Sequence, residues 1–77
     1  PLTRAEARQE LAEVLVRRDK HEEALSQLDR RDREGADPSP SVEALRAEAL
    51  WKLGRPAEAL ELLGRAVQEY PRAHAPW

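Results

Sequence analysis

Residues 47–60 of this chain read AEALWKLGRPAEAL. Two runs of good helix formers flank the segment Gly54-Arg55-Pro56. Glycine readily takes the left-handed backbone conformation that ends a helix, and proline is tolerated in the first turn of the next helix. The stretch therefore predicts the end of one helix, a tight reversal and the start of a second helix running antiparallel to the first.

The same pattern occurs earlier in the chain, at an offset of 35 residues. The segment 22–25 corresponds to the segment 57–60, and Leu15 and Leu28 correspond to Leu50 and Leu63. Self-similarity at a fixed period is the sequence signature of a repeat architecture. A helix–turn–helix unit of about 34 residues, used twice, is the simplest description of the chain.

Length and composition agree with one small helical domain. The chain has 77 residues, of which 40% are hydrophobic and 36% charged, with no Phe, Met or Cys. A domain of this length has a thin core and marginal stability. Here that core must be made of Leu, Val and small Ala contacts, and β-branched residues are too scarce for a sheet.

Charge and hydropathy exclude several classes of function. The formal net charge is −2, and neither half of the chain has the one-signed field that a nucleic acid or an anionic membrane surface attracts. No apolar run is long enough to span a bilayer, and no apolar segment resembles a signal peptide. We therefore expect no nucleic-acid or membrane partner, and a cytoplasmic location by default.

Capping and stop signals set the expected boundaries. Thr3 and Glu6 form a capping-box pattern at the start of the first helix. Gly35 ends the second helix, Ser39 caps the third, and Pro71 stops the fourth. The prediction is a single all-α domain over 1–77, with repeat one at about 3–36, repeat two at about 39–71, and a stub of a third unit or capping segment at 72–77 that begins a fifth helix.

Apolar spacing predicts which side of each helix is buried. The expected stripes are Ala7, Leu11, Val14 and Leu15; Ala24, Leu25 and Leu28, with Arg31 on the same side; Val42, Leu45, Ala49, Leu50 and Leu53; and Ala59, Leu60, Leu63, Ala66, Val67 and Tyr70.

These residues give the chain a resemblance to the tetratricopeptide repeat family. The second unit carries the likeness best, through Ala47, Leu50, Gly54, Ala59, Leu63, Ala66 and Pro71, and the first matches at Leu11, Ala12, Leu15, Ala24 and Leu28. The chain departs from the family pattern at Asp19, Arg31 and Arg46. The resemblance implies tandem antiparallel hairpins in an alpha-alpha superhelix, with Ala24 and Ala59 where paired helices cross.

The polar residues offer no catalytic, cofactor or metal site. His21 and His74 are far apart in the sequence and lack metal-ligand spacing, and the three serines lie outside any glycine-rich elbow. The glycines are isolated stop signals, so no phosphate-binding loop exists. We therefore expect a protein that is not an enzyme and binds no cofactor.

The resemblance instead implies a concave groove on the first helix of each unit, with a protein or peptide partner. The side chains expected to line it are Gln9, Glu13, Val16, Arg17, Ala44, Glu48, Trp51 and Lys52. Trp51 is the expected centre of binding, unless it packs against a neighbouring helix or the next unit. The alternative function is a structural or oligomerisation segment of a larger repeat protein, or a homodimer.

Overall fold

The computed structural model describes residues 2–69, which form four α-helices and, over that range, no strand. The helices are α1 (Arg4–Arg17), α2 (His21–Arg33), α3 (Pro40–Lys52) and α4 (Pro56–Glu69). α1 packs on α2 and α3 packs on α4, while α2 and, less extensively, α1 contact α3. The predicted all-α pair of hairpins is confirmed. Tyr70, the stop at Pro71 and the stub at 72–77 lie outside the described residues.

The helix starts follow from local chemistry. The backbone N–H of Glu6 donates to Thr3 Oγ1 at 3.1 Å, and the N–H of Thr3 donates to Glu6 Oε1 at 3.3 Å. This confirms the capping box at α1, which satisfies two backbone donors at the helix end. Ser39 differs from the prediction: its side chain makes no capping hydrogen bond, and α3 begins with extended backbone at Ser39 followed by Pro40.

The reversal inside each hairpin is the same in both units. Lys20 N donates to Leu15 O at 2.8 Å, and Arg55 N donates to Leu50 O at 2.9 Å, the equivalent bond 35 residues later. The turn residues Asp19 and Gly54 both have positive φ, at 61° and 79°. The two helix ends therefore share one backbone geometry, although only the second uses the residue type best suited to it.

Asp19→Gly is expected to stabilise the protein by about 0.5 kcal/mol. The left-handed backbone conformation costs an L-residue about 1–2 kcal/mol, which glycine avoids. Glycine, however, loses more conformational entropy on folding, and this offsets about 0.5–1 kcal/mol of the gain. The substitution also removes a contact of 3.6 Å between Asp19 Oδ1 and His21 Nε2, but the Asp19 side chain is 92% exposed, so this contact contributes little. Urea unfolding measures the change.

Gly54→Ala is the matched reverse change and should destabilise. A Cβ at Gly54 meets no atom within 4 Å, so its cost comes from backbone conformation alone. A lower unfolding midpoint for Asp19→Gly than for the wild type would contradict the shared geometry.

Two apolar clusters form the core. The first unites three helices through Ala12, Val16, Ala24, Leu28, Val42 and Ala49. The second joins α3 to α4 through Ala47, Leu50, Ala59 and Leu62. Leu25 packs against both clusters and so connects the two hairpins. The predicted crossing residues Ala24 and Ala59 are both buried.

The predicted stripes of α1 and α4 are partly wrong. On α1, Ala7, Leu11 and Val14 are exposed, while Ala12 and Val16 are buried. On α4, Leu60 and Val67 are exposed, while Leu62 is buried. The exposed residues belong to faces that the neighbouring unit covers when units stack. The equivalents of Ala7 and Val14 in the second unit are Val42 and Ala49, and these are buried against the first hairpin.

Arg31 is buried at a position where the family pattern prefers a small residue. Its equivalent in the second unit is Ala66, which is also buried. The Nη2 of Arg31 donates to the carbonyl oxygen of Asp37 at 2.7 Å, and its Nη1 lies 3.4 Å from Asp32 Oδ1. A buried charge is tolerated when it is hydrogen-bonded in this way. Arg31 therefore ties the end of α2 to the loop that leads into α3.

Candidate functional site

The eight residues predicted to line a groove lie on α1 and α3, which contact each other. They form four pairs at the offset of 35 residues, one member on each helix: Gln9 with Ala44, Glu13 with Glu48, Val16 with Trp51, and Arg17 with Lys52. Gln9 and Glu13 are half-buried, and Arg17 and the four residues of α3 are exposed. Val16 is buried in the first apolar cluster, so it presents almost no surface to a partner.

The charged pairs form two rows of opposite sign. Glu13 and Glu48 make an acidic row, and Arg17 and Lys52 make a basic row one turn further along the helices. Among residues 2–69, none of these four side chains lies within salt-bridge distance of an opposite charge. Arg17 Nε donates only to the carbonyl oxygen of Glu13, at 3.4 Å. The charges are thus available to groups on another molecule.

Trp51 is 55% exposed and is the largest exposed side chain of the described residues. Its equivalent, Val16, is covered because α3 packs beside α1. No described helix lies in the same relation to α3. Trp51 therefore stands at the edge between the α1–α3 surface and the open side of the second hairpin.

Two depressions in the described surface lie away from these residues. One is lined by the segment 19–23 and Leu53, and another by residues around Arg31, Asp32 and Glu69. Neither includes any of the eight predicted side chains. The reason is geometric, because the concave surface of a stack of hairpins develops over successive units and two units give only a shallow one.

An ion pair holds α1 in place against α2. Arg8 Nε donates to Glu34 Oε1 at 2.7 Å and its Nη2 donates to Glu34 Oε2 at 3.0 Å, while Nη1 donates to Gln27 Oε1 at 2.9 Å. The hydrogen bond from Arg8 is the main reason that the pKa of Glu34 is lowered, and the charges of Arg8 and Arg4 lower it further. This bidentate contact fixes the start of α1 to the end of α2, and so orients the helix that carries Gln9 and Glu13.

Glu34→Gln is expected to lower the melting temperature at pH 7 and to leave it unchanged in strong acid. A carboxyl whose pKa is lowered by folding stabilises the protein above its unfolded pKa, and that stability is lost as the pH falls through the ordinary value of 4.5 and below the folded value. Thermal melts of both proteins across this range measure the gap. Glu61→Gln, on an exposed site of α4, is the control, and a gap that persists in strong acid would contradict the assignment.

Two kinds of site are absent from the described part of the chain. No helix within residues 2–69 has both the length and the apolar character needed to cross a membrane. Over the same residues, no three His, Cys, Asp or Glu side chains come together as metal ligands would.

Family models of the tetratricopeptide repeat match the chain in two places. One matches residues 40–77, the second unit and the residues that follow it, and the other matches residues 5–30 in the first unit. The chain is a tetratricopeptide repeat protein. No curated protein and no solved structure matches it. Tetratricopeptide repeats generally mediate protein–protein interactions and are typically non-catalytic scaffolds.

Two departures from the tetratricopeptide repeat pattern are explained by the contacts and backbone conformation of the residues concerned. Arg46, where the family commonly has a bulky apolar residue, pairs with Asp32 at 2.6 Å across the junction of the two hairpins. Asp19 takes the left-handed turn conformation that glycine usually supplies. Neither departure alters the helix arrangement, although sequence reasoning did not find the Arg46–Asp32 pair because its members lie on different helices.

Proposed function

We propose that this tetratricopeptide repeat protein is a non-catalytic interaction module, and that it binds a peptide or partner protein across the surface formed by α1 and α3. The observation that supports the proposal is the pair of unpartnered charge rows beside an exposed Trp51. The binding surface consists of Gln9, Glu13, Arg17, Ala44, Glu48, Trp51 and Lys52. Val16 supports it from below as part of the core.

The charge rows define the chemistry of the partner. A segment that carries a basic group opposite Glu13 and Glu48 and an acidic group opposite Arg17 and Lys52 would match both rows. An apolar side chain of the partner would cover Trp51, and Trp and Arg are the residue types that most often dominate binding energy. Exposed ion pairs contribute little affinity each, so the rows would act mainly by fixing the orientation of the segment and speeding its association.

The test is selection of peptides from a random displayed library on the wild-type chain. We expect the selected peptides to combine a basic, an acidic and an apolar residue. Glu48→Lys and Lys52→Glu each place a charge opposite a like charge of the selected peptide, and this repulsion is expected to weaken binding by roughly tenfold. Glu61→Lys on α4 is the control that should leave affinity unchanged.

Two results would contradict the proposed surface. One is a set of peptides that bind equally well to Glu48→Lys, Lys52→Glu and the wild type. The other is a selection that gives no peptide with the expected charges. The absence of nucleic-acid and membrane partners stays a prediction, which binding of labelled DNA, RNA and anionic vesicles would measure directly.

A further inference from the structure

Two apolar surfaces are exposed at opposite ends of the described stack. The N-terminal end face consists of Ala7, Glu10, Leu11 and Val14 on α1. The C-terminal end face consists of Trp51 on α3 and Leu60, Leu63 and Val67 on α4, of which Leu63 is half-buried and also packs against the second cluster. Leu11 is 44% exposed, Leu60 60% and Val67 49%, and apolar side chains exposed together on one face mark an interaction site.

The junction between the two hairpins shows what such faces pack against. There the α3 residues Val42, Leu45 and Ala49 pack into the first cluster, together with Val16, Leu25 and Leu28 of the first hairpin. At the rim of this junction Arg46 of α3 pairs with Asp32 of α2 at 2.6 Å. This interface therefore shows which positions come into contact when one hairpin stacks on the next.

The repeat offset relates each end face to one side of this junction. On the α3 side of the junction, the residues 35 positions earlier in the sequence are those of the N-terminal end face. Val42, Leu45, Arg46 and Ala49 correspond in this way to Ala7, Glu10, Leu11 and Val14. On the side of the first hairpin, the residues 35 positions later are those of the C-terminal end face. Val16, Leu25, Leu28 and Asp32 correspond to Trp51, Leu60, Leu63 and Val67. The two end faces thus have the positions that would form the two sides of a second junction in the same register.

The residues of that second junction are complementary. At the position where the internal junction has the ion pair Arg46–Asp32, the end faces offer Leu11 and Val67, so both partners have changed from charged to apolar together. Where the internal junction has two valines, the end faces offer a large residue, Trp51, and a small one, Ala7. Leu28 and Ala49 are replaced by Leu63 and Val14, both apolar.

The fourth pair is less well matched, since Leu60 and Glu10 would stand at the positions where Leu25 and Leu45 pack against the first cluster. Glu10 is exposed and its aliphatic stem can lie along a leucine while the carboxylate stays in water. Three of the four pairs therefore favour an apolar contact, and the fourth allows one.

We propose that the C-terminal end face binds the N-terminal end face of a second copy of this chain, so that the copies stack head to tail in the register of the internal junction. Such an interface is heterologous, because the two copies contribute different surfaces. Each bound copy leaves one end face open, so the assembly grows with concentration and continues the superhelix. This interaction is separate from the α1–α3 binding surface, and Trp51, which borders both, is not used to test it.

Sedimentation velocity over about 1 μM to 1 mM tests the proposal with single charge substitutions. We expect the wild-type chain to form larger species as its concentration rises. Leu11→Glu and Val67→Glu should each weaken this self-association by at least roughly tenfold. Both sites are exposed, so circular dichroism should show wild-type helix content, and Glu61→Lys is the control that should associate like the wild type.

Mixing the variants separates head-to-tail stacking from other dimers. Leu11→Glu keeps an intact C-terminal end face and Val67→Glu keeps an intact N-terminal one, so an equimolar mixture should form a 1:1 heterodimer and nothing larger. In a second mixture, Leu11→Arg with Val67→Asp should regain growth to larger species, because the new pair repeats the internal Arg46–Asp32 contact.

Three outcomes would overturn the proposal. A wild-type chain that stays monomeric throughout the range would mean that another part of the protein, or nothing, covers the end faces. A self-complementary dimer, with no heterodimer in the Leu11→Glu and Val67→Glu mixture, would mean a different interface. Association that Leu11→Glu and Val67→Glu leave unchanged would exclude these faces, and none of these results would bear on peptide binding to α1 and α3.

Discussion

Leu28→Ala is expected to lower the free energy of unfolding by about 2–5 kcal/mol. Leu28 is 0% exposed and lies in the cluster that unites α1, α2 and α3. The change removes buried methyl groups and leaves a cavity between three helices that are each held by other contacts, so the site collapses only in part. Because natural domains are stabilised by only about 5–15 kcal/mol, a domain this small should lose much of its folded population.

Urea unfolding followed by helical circular dichroism measures this effect. Leu60→Ala is the matched control, since it is the same change on the equivalent helix at a side chain that is 60% exposed. We expect its effect to be within about 0.5 kcal/mol of the wild type. Equal losses for Leu28→Ala and Leu60→Ala would contradict the burial assigned to the first cluster.

Ala59→Leu is expected to destabilise the protein by about 1–3 kcal/mol through overpacking. Ala59 is 1% exposed and lies where α4 crosses α3, in the cluster with Ala47 and Leu50. A methyl side chain there lets the two helix axes approach closely. Three extra carbon atoms at the crossing must push the helices apart or force side chains out of their preferred rotamers.

The same substitution at Ala57 provides the control. Ala57 is exposed near the start of the same helix, and leucine and alanine both have high helix propensity. We expect Ala57→Leu to leave the urea midpoint nearly unchanged. If Ala59→Leu were equally neutral, the close approach of α3 and α4 at this residue would be excluded.

The helices and turns were predictable because their signals are local. Thr3 with Glu6 and Gly35, Gly54 and Pro56 act within a few residues of their own position, so these local signals set where helices begin and end. Gly64 is the exception, because it was expected as a stop signal and lies inside α4. The offset of 35 residues added the hairpin pairing, since two equivalent units with short connections can pack side by side in few ways.

The side of each helix that is buried was less predictable. In a repeat protein, the apolar residues of one helix pack both within their own hairpin and against the neighbouring hairpin. Apolar spacing in the sequence does not show which residues make which contact. Leu11 and Leu60 have the spacing of core residues, yet they face the ends of the described stack, while Ala12 and Leu62 are buried inside the hairpins. The Arg8–Glu34 and Arg46–Asp32 contacts were also missed, because such pairs depend on three-dimensional proximity between helices.

The candidate site was predictable only as a set of equivalent positions. The family resemblance named Gln9, Glu13 and their counterparts on α3, and the structure puts these on two contacting helices. Val16 was expected on the surface and is buried instead. It occupies the same position in the first unit as Trp51 in the second, but α3 packs over it. The exposure of this position depends on whether another hairpin packs beside the helix, and local sequence patterns do not predict that.

The unequal sharing of the two clusters sets the order in which the molecule opens. The first cluster draws on α1, α2 and α3, whereas α4 contributes only to the second. Detachment of α4 would leave the first cluster intact, but loss of α3 would break both, since α3 contributes Val42 and Ala49 to the first and Ala47 and Leu50 to the second. Local opening events of this kind are visible as amide hydrogen exchange. We expect the slowest-exchanging amides in α3 and faster exchange in α4, so that among the four helices α4 opens before the helices of the first cluster.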